Sequence, residues 1–333
     1  MSNDRVITYG AAFAEAIKLE MAADPDVFIA GEDVGAHGGV FHTFDGIQGE
    51  FGERRAVDTP ISEQAIIGLG VGAAVTGLRP IVDLMFMDFT LVAADQIVNQ
   101  AAKLKYMFGG EAKLPLTITT SGGAGLSAAA QHSQSLEAIF CHIPGLMVVT
   151  PSNPYDVKGL MAACILEDNP TLFVLHKRML GLKGVVPEER YLVPLGVAKV
   201  TREGTDVTLV SWGKTANDCL AAAAELDKEG TSCEVIDLRT LSPLDVDTVV
   251  TSVRKTNRVV VAHEAVRFGG FGAEVAAQIQ EHAFDHLDAP VGRVAAPFSP
   301  IPFSPALEGL YVPDKGRIAD GVRAALARPL LRN

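Results

Sequence analysis

A single carboxylate, that of Glu63, stands at the start of an otherwise apolar stretch, residues 58–77 (DTPISEQAIIGLGVGAAVTG). Thr59-Pro60 indicates the start of a helix, because proline is tolerated at the first helical position. The residues after Glu63 are nearly all apolar, so we expect this helix to be packed on almost every side. The helix dipole alone can stabilise an acid in the first turn. Apolar surroundings would instead raise the pKa of the Glu63 carboxyl, which could then hold and donate a proton at neutral pH.

Two glycine-rich stretches match the dinucleotide-binding pattern without its context. Residues 68–73 (GLGVGA) lie inside the predicted helix and not at a strand-to-helix turn. Residues 123–128 (GAGLSA) follow a predicted strand, but the next strand, residues 145–152, does not end in the acidic residue that binds a ribose. Residues 132–135 (HSQS) pair a histidine with serines, but no G-x-S-x-G elbow accompanies them. The sequence therefore disfavours a nicotinamide-dependent oxidoreductase and a serine hydrolase.

The composition is that of a globular protein of about two domains, with 333 residues of which 48% are hydrophobic and 20% charged. A net charge of −12 disfavours binding to nucleic acid or to an anionic membrane. The four cysteines show no CxxC spacing, which disfavours a zinc site or a disulfide framework. The first residues lack the basic region and apolar core of a secretory signal, and the apolar runs are interrupted before ~18 residues. We therefore expect a cytoplasmic protein.

Short apolar runs alternate with helical patterns along the whole chain. This alternation predicts an α/β fold with parallel sheets that are covered on both faces. Residues 183–206 interrupt the alternation with prolines, glycines and charges, as is typical of a connecting segment. We therefore predict two α/β domains, at residues 1–190 and 191–333.

Seven segments, in order along the chain, resemble the β subunit of the thiamine-diphosphate-dependent 2-oxo acid dehydrogenases, a group that includes the pyruvate, branched-chain and acetoin enzymes. The resemblance covers nearly the whole chain. It implies a pyrimidine-binding domain of the thiamine-diphosphate fold at residues 1–190 and a transketolase-type C-terminal domain at residues 191–333. The segments that carry it are GEDVGAHGGVF, DTPISEQAIIGLGVGAAVTGLRPIVDLMFMDF, DQIVNQAAK, AAAQHSQSLEA, CHIPGLMVVTPSNPYDVKGL, SCEVIDLRTLSPLDVDTV and VAHEAVRFGGFGAEVA.

The resemblance gives Glu63 a chemical role. In the family, the matching glutamate hydrogen-bonds the N1′ nitrogen of the cofactor's aminopyrimidine. A protonated Glu63 would favour the imino tautomer of the 4′-amino group, whose nitrogen removes the proton from C2 of the thiazolium ring. The carbanion so formed attacks the carbonyl of the substrate. The cofactor thus supplies the reactive carbon, and the protein supplies its position and protonation state.

Four further residues gain roles from the resemblance. Glu32 ends the first strand of the domain, where an acid is often only a helix cap, and the resemblance implies a position beside the cofactor near the active-site channel. Met85 and Phe89 lie in an apolar stretch and could be core residues, but the matching family residues pack against the aminopyrimidine. His132 could cap a turn. In the family it faces the substrate and the lipoyl group, and an imidazole suits proton transfer to the dithiolane.

The resemblance also implies a potassium ion held by main-chain carbonyl oxygens, the ligand type that a hard cation prefers. Branched-chain relatives have Asp where Glu167 stands in this chain. The matching positions are Leu114, Leu116, Thr117, Cys164, Glu167 and Asn169.

One motif of this chemistry is missing. The Mg²⁺ that binds the cofactor's diphosphate is held by a GDG sequence and a later Asn, and no GDG occurs in this chain. We therefore expect the chain to bind only the pyrimidine half of thiamine diphosphate, with an α subunit holding Mg²⁺ in an α₂β₂ heterotetramer. The small residues Gly68, Gly72 and Thr76 recur at intervals of four and allow close helix packing, either within the chain or between subunits.

The resemblance further implies a partner for the C-terminal domain, the peripheral binding segment of a dihydrolipoyl acyltransferase. That segment is typically basic, and Glu281, Asp285 and Asp288 could complement its charge.

The predicted function is the oxidative decarboxylation of a 2-oxo acid, pyruvate or a branched-chain acid, with acyl transfer to lipoamide and activity only with an α subunit. Cleavage of acetoin by the same machinery is the close alternative, since AAAQHSQSLEA and TPSNPYDVKGL are similar to the acetoin enzymes. A non-catalytic scaffolding subunit is the alternative of a different class. It is disfavoured because Glu63, Phe89 and His132 are all present.

Overall fold

A computed structural model describes residues 5–327 of the chain. These residues form two compact units. Unit 1 comprises the residues up to Gly122 together with Ile139–Leu195, and unit 2 comprises Gly123–Ala138 together with the residues from Gly196 onward. The segment Gly123–Ala138, which carries His132, thus belongs to the same unit as the second half of the chain.

Unit 1 alternates strands and helices, as the sequence predicts. Its strands are β1 (Val6–Thr8), β2 (Val27–Gly31), β3 (Ala56–Asp58), β4 (Arg79–Phe86), β5 (Thr117–Gly122), β6 (Met147–Val149), β7 (Thr171–His176) and β8 (Lys183–Val185). The helices are α1 (Tyr9–Ala23), α2 (Ile47–Phe51), α3 (Glu63–Val75), α4 (Ala102–Met107) and α6 (Pro154–Leu166), while α5 (Glu137–Cys141) begins within Gly123–Ala138. A 3₁₀ turn covers Met87–Leu91, and a π-helical stretch covers Gln96–Ala101.

Six strands of unit 1 pair in parallel in the order β6–β7–β5–β4–β2–β3. Strands β5 and β7 are buried along nearly their whole length, which explains why they read as continuous apolar and threonine-rich runs. The helices α1 and α6 contribute Phe13, Ile17 and Leu160 to one hydrophobic core with Phe173 of β7. Asn153 caps α6, because its side chain accepts a hydrogen bond from the Asp156 amide at 2.8 Å.

Unit 2 has the second alternation of strands and helices. Its strands are β9 (Lys199–Arg202), β10 (Val207–Ser211), β11 (Cys233–Asp237), β12 (Thr240–Ser242), β13 (Val259–Val266) and β14 (Gly292–Ala296). Its helices are α7 (Gly213–Leu226), α8 (Val246–Thr256), α9 (Gly272–Ala283), α10 (Pro305–Tyr311) and α11 (Lys315–Leu326). Five strands form a sheet in the order β14–β13–β10–β11–β9, in which only β9 runs antiparallel to its neighbour.

The helix α3 differs from the prediction in two ways. It begins at Glu63 with Ser62 at the N-cap position, and not at Pro60. Its apolar residues are also not packed on almost every side within this chain, so that expectation is wrong for the chain by itself. Leu69 and Val75 are 43% and 45% exposed, and Gly72 is exposed beside them.

Among residues 5–327, no helix is both long enough and apolar enough to cross a membrane.

Candidate active site

Three neighbouring strands of unit 1 end at one edge of its sheet. Gly31 of β2 lies opposite Asp58 of β3 on one side and Asp83 of β4 on the other. Because parallel strands share the direction of their carboxyl ends, the residues that follow meet at that edge. Glu32 follows β2, Met85 lies at the end of β4, and the chain after β3 leads within a few residues to Glu63.

Glu32 and Glu63 are half-buried and close enough to influence one another. Loss of hydration raises the pKa of the Glu32 carboxyl, and the negative charges of Asp33 and Glu63 raise it further. Neither the Glu32 nor the Glu63 side chain forms a hydrogen bond with the part of the chain that the structure describes. The sheet edge therefore holds two neighbouring acids whose oxygens remain open to a ligand.

The end of β4 is irregular in a way that directs Met85. The pairing register of β4 with β5 shifts between Asp83 and Phe86, and Met85 has a left-handed backbone with φ of 54°. The Met85 amide donates to Oδ2 of Asp83 at 3.1 Å, and the Thr120 hydroxyl donates to the Met85 carbonyl at 3.3 Å. A bulge of this kind re-aims side chains next to functional sites.

Asp83 is a site residue that the sequence reasoning missed. Its Oδ1 accepts a hydrogen bond from the Thr119 hydroxyl at 2.7 Å. Burial raises the pKa of Asp83 to about 6, although the hydrogen bonds from Thr119 and Met85 act in the opposite direction. An acid within the apolar run of β4 was the available signal, because an aspartate in a buried strand needs partners that satisfy it.

Phe89 lies in the 3₁₀ turn after β4, next to other aromatic side chains. Its ring centroid is 5.5 Å from that of Phe86, which is in turn 5.2 Å from that of Phe41. The Lys177 ammonium lies over the Phe86 ring, 5.0 Å from its centroid. Phe89 is half-buried, so part of its ring is available for contact with a ligand.

His132 lies in unit 2, in a loop that we call the histidine loop, residues 123–134. The Gly123 amide donates to the Gln134 carbonyl at 3.4 Å and closes its base. The amides of Gly125 and Ser127 donate to the Glu308 carboxylate at 2.6 and 2.9 Å. The glycine-rich stretch 123–128 thus binds an anion, but this anion is a carboxylate of its own chain.

A cavity of about 530 Å³ lies beside the histidine loop within unit 2. Burial raises the pKa of the neighbouring Glu137 to about 7, and the charge of Glu264 adds to this effect. Residues lining the cavity include Gln131, Ser133, Gln134, Glu264, Phe298 and Tyr311.

The residues of the predicted potassium site fall in two neighbouring segments of unit 1. The Leu114 amide donates to the Asp168 carbonyl at 3.0 Å, and the Thr171 amide donates to the Leu116 carbonyl at 2.9 Å. Burial raises the pKa of the Cys164 thiol to about 12, which disfavours a thiolate ligand at neutral pH. Thr117, Glu167 and Asn169 lie in the same two segments.

Comparison with known protein families agrees with this architecture. The family "Transketolase, pyrimidine binding domain" matches residues 5–183, and "Transketolase, C-terminal domain" matches residues 196–318. A solved structure described as "Split gene transketolase, inactive beta4 tetramer" has the same fold, with a TM-score of 0.80 and 24% identity over 96% of this chain and 98% of that one. The two family matches thus define a subunit of a thiamine-diphosphate-dependent enzyme of the transketolase type.

Full-length relatives narrow this class. The chain is 47% identical to the acetoin:2,6-dichlorophenolindophenol oxidoreductase subunit beta of Bacillus subtilis, over 98% of this chain and 99% of that relative. It is 44% identical to the pyruvate dehydrogenase E1 component subunit beta of Staphylococcus epidermidis, over 95% and 97%. The 2-oxoisovalerate dehydrogenase subunit beta of Bacillus subtilis is also 44% identical, over 93% and 96%. The chain belongs to the family of the E1 β subunits of 2-oxo acid dehydrogenases.

Proposed function

We propose that the chain is the catalytic β subunit of a dehydrogenase that decarboxylates a 2-oxo acid and transfers the acyl group to lipoamide. In this reaction the 2-oxo acid loses CO₂ while the lipoyl disulfide is reduced and one of its sulfurs is acylated. Bound thiamine diphosphate would supply the carbon nucleophile for the cleavage. The observation that carries the proposal is the closeness of the two acids Glu32 and Glu63 at the sheet edge that also bears Met85.

The side chains at this edge fit the pyrimidine half of that cofactor. Glu63 offers carboxyl oxygens without partners in residues 5–327, as a ring nitrogen requires. Met85 and Phe89 are half-buried and offer a thioether and an aromatic face against which a flat ring would pack and from which water would be excluded. The bulge that holds Met85 supports this assignment, because it fixes the backbone from which the thioether extends.

Proton transfer is the contribution of the two acids. Glu63 would donate a proton to the pyrimidine nitrogen and take it back later in the cycle. Loss of hydration and the negative charges of Asp33 and Glu63 raise the pKa of the Glu32 carboxyl, which favours proton retention at Glu32. We assign His132 to proton transfer at the lipoyl dithiolane, because an imidazole titrates in the physiological range.

We propose an α subunit that completes the site by holding Mg²⁺ and the diphosphate, in an α₂β₂ heterotetramer. The absence of a GDG sequence supports this division of labour. Exposed large apolar side chains of unit 1 also support an interface with another subunit. These residues are Leu69, Val75, Leu78, Leu91, Val92, Tyr106, Met107 and Phe108.

Four finer assignments remain proposals drawn from the sequence. The dihydrolipoyl acyltransferase would dock on unit 2 near Glu281 and Asp285, which are exposed, and Asp288. Main-chain carbonyls of the two segments described above would hold potassium. The boundary between the two functional domains would fall at residues 190–191, and the enzyme would work in the cytoplasm.

The decisive experiment uses the chain produced together with its α subunit. We expect thiamine diphosphate to bind only to the pair, and Glu63→Gln to lower turnover by ~10²–10⁴-fold, the range for loss of a general acid or base. The matched control is Glu53→Gln, at an exposed glutamate of the same unit, which should leave turnover unchanged. Unchanged turnover in Glu63→Gln, with the complex intact, would leave only the scaffolding subunit.

Acetoin cleavage is the second candidate. The observation that favours it is the 47% identity to an acetoin relative, against 44% to the pyruvate and 2-oxoisovalerate relatives. Turnover with pyruvate, a branched-chain 2-oxo acid and acetoin should therefore be compared, with 2,6-dichlorophenolindophenol as electron acceptor. The substrate with the highest kcat/KM decides between the candidates.

A further inference from the structure

The histidine loop has a strained backbone. Ser127 and Ala129 adopt left-handed conformations with φ of 54° and 62°, which residues with a side chain rarely adopt. The His132 amide donates to the Ala129 carbonyl at 3.5 Å, so the strained part of the loop is directly connected to the histidine. Such a backbone persists only where its surroundings hold it in place.

Glu308 of α10 supplies one such restraint. It is only 3% exposed. Its Oε1 accepts a hydrogen bond from the Gly125 amide at 2.6 Å, and its Oε2 accepts one from the Ser127 amide at 2.9 Å. The Ser127 hydroxyl lies at 3.4 Å from the same Oε2. A single buried carboxylate therefore holds both sides of the turn at Leu126.

Glu264 of β13 supplies a second restraint from another element. It is 8% exposed, and its carboxylate accepts a hydrogen bond from the Ala124 amide. The amides of Ala124, Gly125 and Ser127 thus point at two carboxylates, in an arrangement of successive amides that is typical of anion binding. Hydrogen bonds to ionised acceptors are about twice as strong as neutral ones, so this pair can hold a strained loop.

We propose that Glu308 and Glu264 are positioning residues for His132, acting through the backbone of the histidine loop. The proposal rests on the proposed function in one respect, the assignment of His132 to the lipoyl step. Neither glutamate needs to contact substrate or cofactor. Their carboxylates fix the first half of the loop, and the backbone bond between Ala129 and His132 carries this constraint to the imidazole.

The proposal predicts a selective defect. If His132 acts at the lipoyl step, transfer of the acyl group to a lipoyl domain needs it, whereas electron transfer to 2,6-dichlorophenolindophenol after substrate cleavage bypasses that step. In the α/β complex, Glu308→Gln and Glu264→Gln should each lower the rate of lipoyl acylation by ~10²-fold, the loss that a misplacement of about 1 Å can cause. Dye reduction by the same two variants should stay near the wild-type rate.

A buried glutamate of the same unit gives the matched control. Glu234 is 1% exposed and bonds the Ser252 hydroxyl and the Lys255 ammonium, away from the histidine loop. Glu234→Gln should leave the ratio of acylation to dye reduction unchanged even where it lowers thermal stability. A Glu308→Gln complex with a wild-type ratio, or with both rates lowered equally, would overturn the proposal.

A double-mutant cycle tests the path through the histidine. If Glu308 acts through His132, Glu308→Gln should cause no further loss of acylation in the His132→Ala background. A full additional loss there would overturn the proposal. Should Glu308→Gln not yield folded complex, Glu264→Gln serves for the same cycle, because it releases a different amide.

Hydrogen exchange of the complex tests the restraint without any assay of activity. Exchange at residues 123–134 should rise in Glu308→Gln and stay unchanged in Glu234→Gln. Unchanged exchange in both variants would overturn the proposal. If the wild-type complex catalysed neither reaction, the proposed function would fail, while the exchange experiment would still decide whether the carboxylates hold the loop.

Discussion

Unit 1 leaves Glu32 and Glu63 half-exposed and without hydrogen bonds to residues 5–327, whereas unit 2 buries Glu264 and Glu308 and directs backbone amides at both. The difference follows from the free-energy cost of burying a charged carboxylate. A buried carboxylate is stable as an anion only with donors around it, and it then restrains whatever carries those donors. A half-exposed carboxylate without donors from its own chain can still accept hydrogen bonds from a ligand. The first pair is suited to proton exchange with a ligand, and the second to holding a backbone.

At neutral pH, the largest expected effect on stability separates the two pairs directly. Glu308→Ala should lower the free energy of unfolding by about 2 kcal/mol, because two part-buried amides lose a charged acceptor at the lower end of ~1–3 kcal/mol each. Glu63→Ala should change it by less than ~0.5 kcal/mol, as is usual for a residue without buried partners. Urea unfolding of the α/β complex measures both, and equal losses would refute the distinction between the pairs.

The next prediction compares one buried acid from each unit, Glu137 of unit 2 and Asp83 of unit 1, by the pH dependence of the free energy of unfolding. Burial raises the pKa of Glu137 from 4.5 to about 7, so the folded state favours the protonated acid. Its contribution, about 3 kcal/mol, is fully present below pH 4.5 and is lost as the pH rises through 7. Glu137→Gln should flatten the stability profile in this window.

Asp83 of unit 1 provides the comparison for that experiment. The pKa of its carboxyl rises from 3.8 to about 6, so its contribution is lost over a lower window, between pH 3.8 and 6. Asp83→Asn should therefore flatten the profile only in that lower window. Thermal unfolding measured across about pH 3.5–8 distinguishes the two variants, because only Glu137→Gln should alter the profile between pH 6 and 7 and only Asp83→Asn below pH 4.5; identical profiles would contradict this difference.

The smallest expected effect on stability concerns the exposed face of α3. Leu69→Ser should change the free energy of unfolding of the chain itself by less than ~0.5 kcal/mol, because Leu69 is 43% exposed. The same variant should weaken association with the α subunit, which analytical ultracentrifugation measures. Ile67→Ser is the matched variant on the buried face of α3, and it should instead destabilise the chain.

The fold could be predicted because its signals are local. Buried parallel strands such as β7 appear in the sequence as short apolar runs, and Asn153-Pro154 marks the start of α6 by cap chemistry alone. The structure confirms the predicted α/β fold, and the comparisons confirm the predicted family. In the glycine-rich stretch 123–128, which the sequence disfavours as a dinucleotide site, the Gly125 amide binds Glu308.

The features that the sequence did not predict depend on contacts between residues far apart in the chain. Nothing near Gly125 indicates that Glu308, 183 residues later, will accept its amide. Met85, which has a left-handed backbone, likewise accepts a hydrogen bond from the hydroxyl of Thr120, 35 residues later, and methionine carries no signal for it. The exposure of α3 is a third case, because an apolar residue looks the same whether its own chain or another chain covers it.

The apolar surface of unit 1 has a consequence for how the protein is made. Leu69, Val92 and Tyr106–Phe108 are 43–88% exposed among the described residues of the chain. Surplus copies would then collect into precipitates or require chaperones, since exposed patches of this kind promote aggregation. Balanced synthesis of two polypeptides, for example from adjacent genes in one transcript, follows as a requirement of this surface.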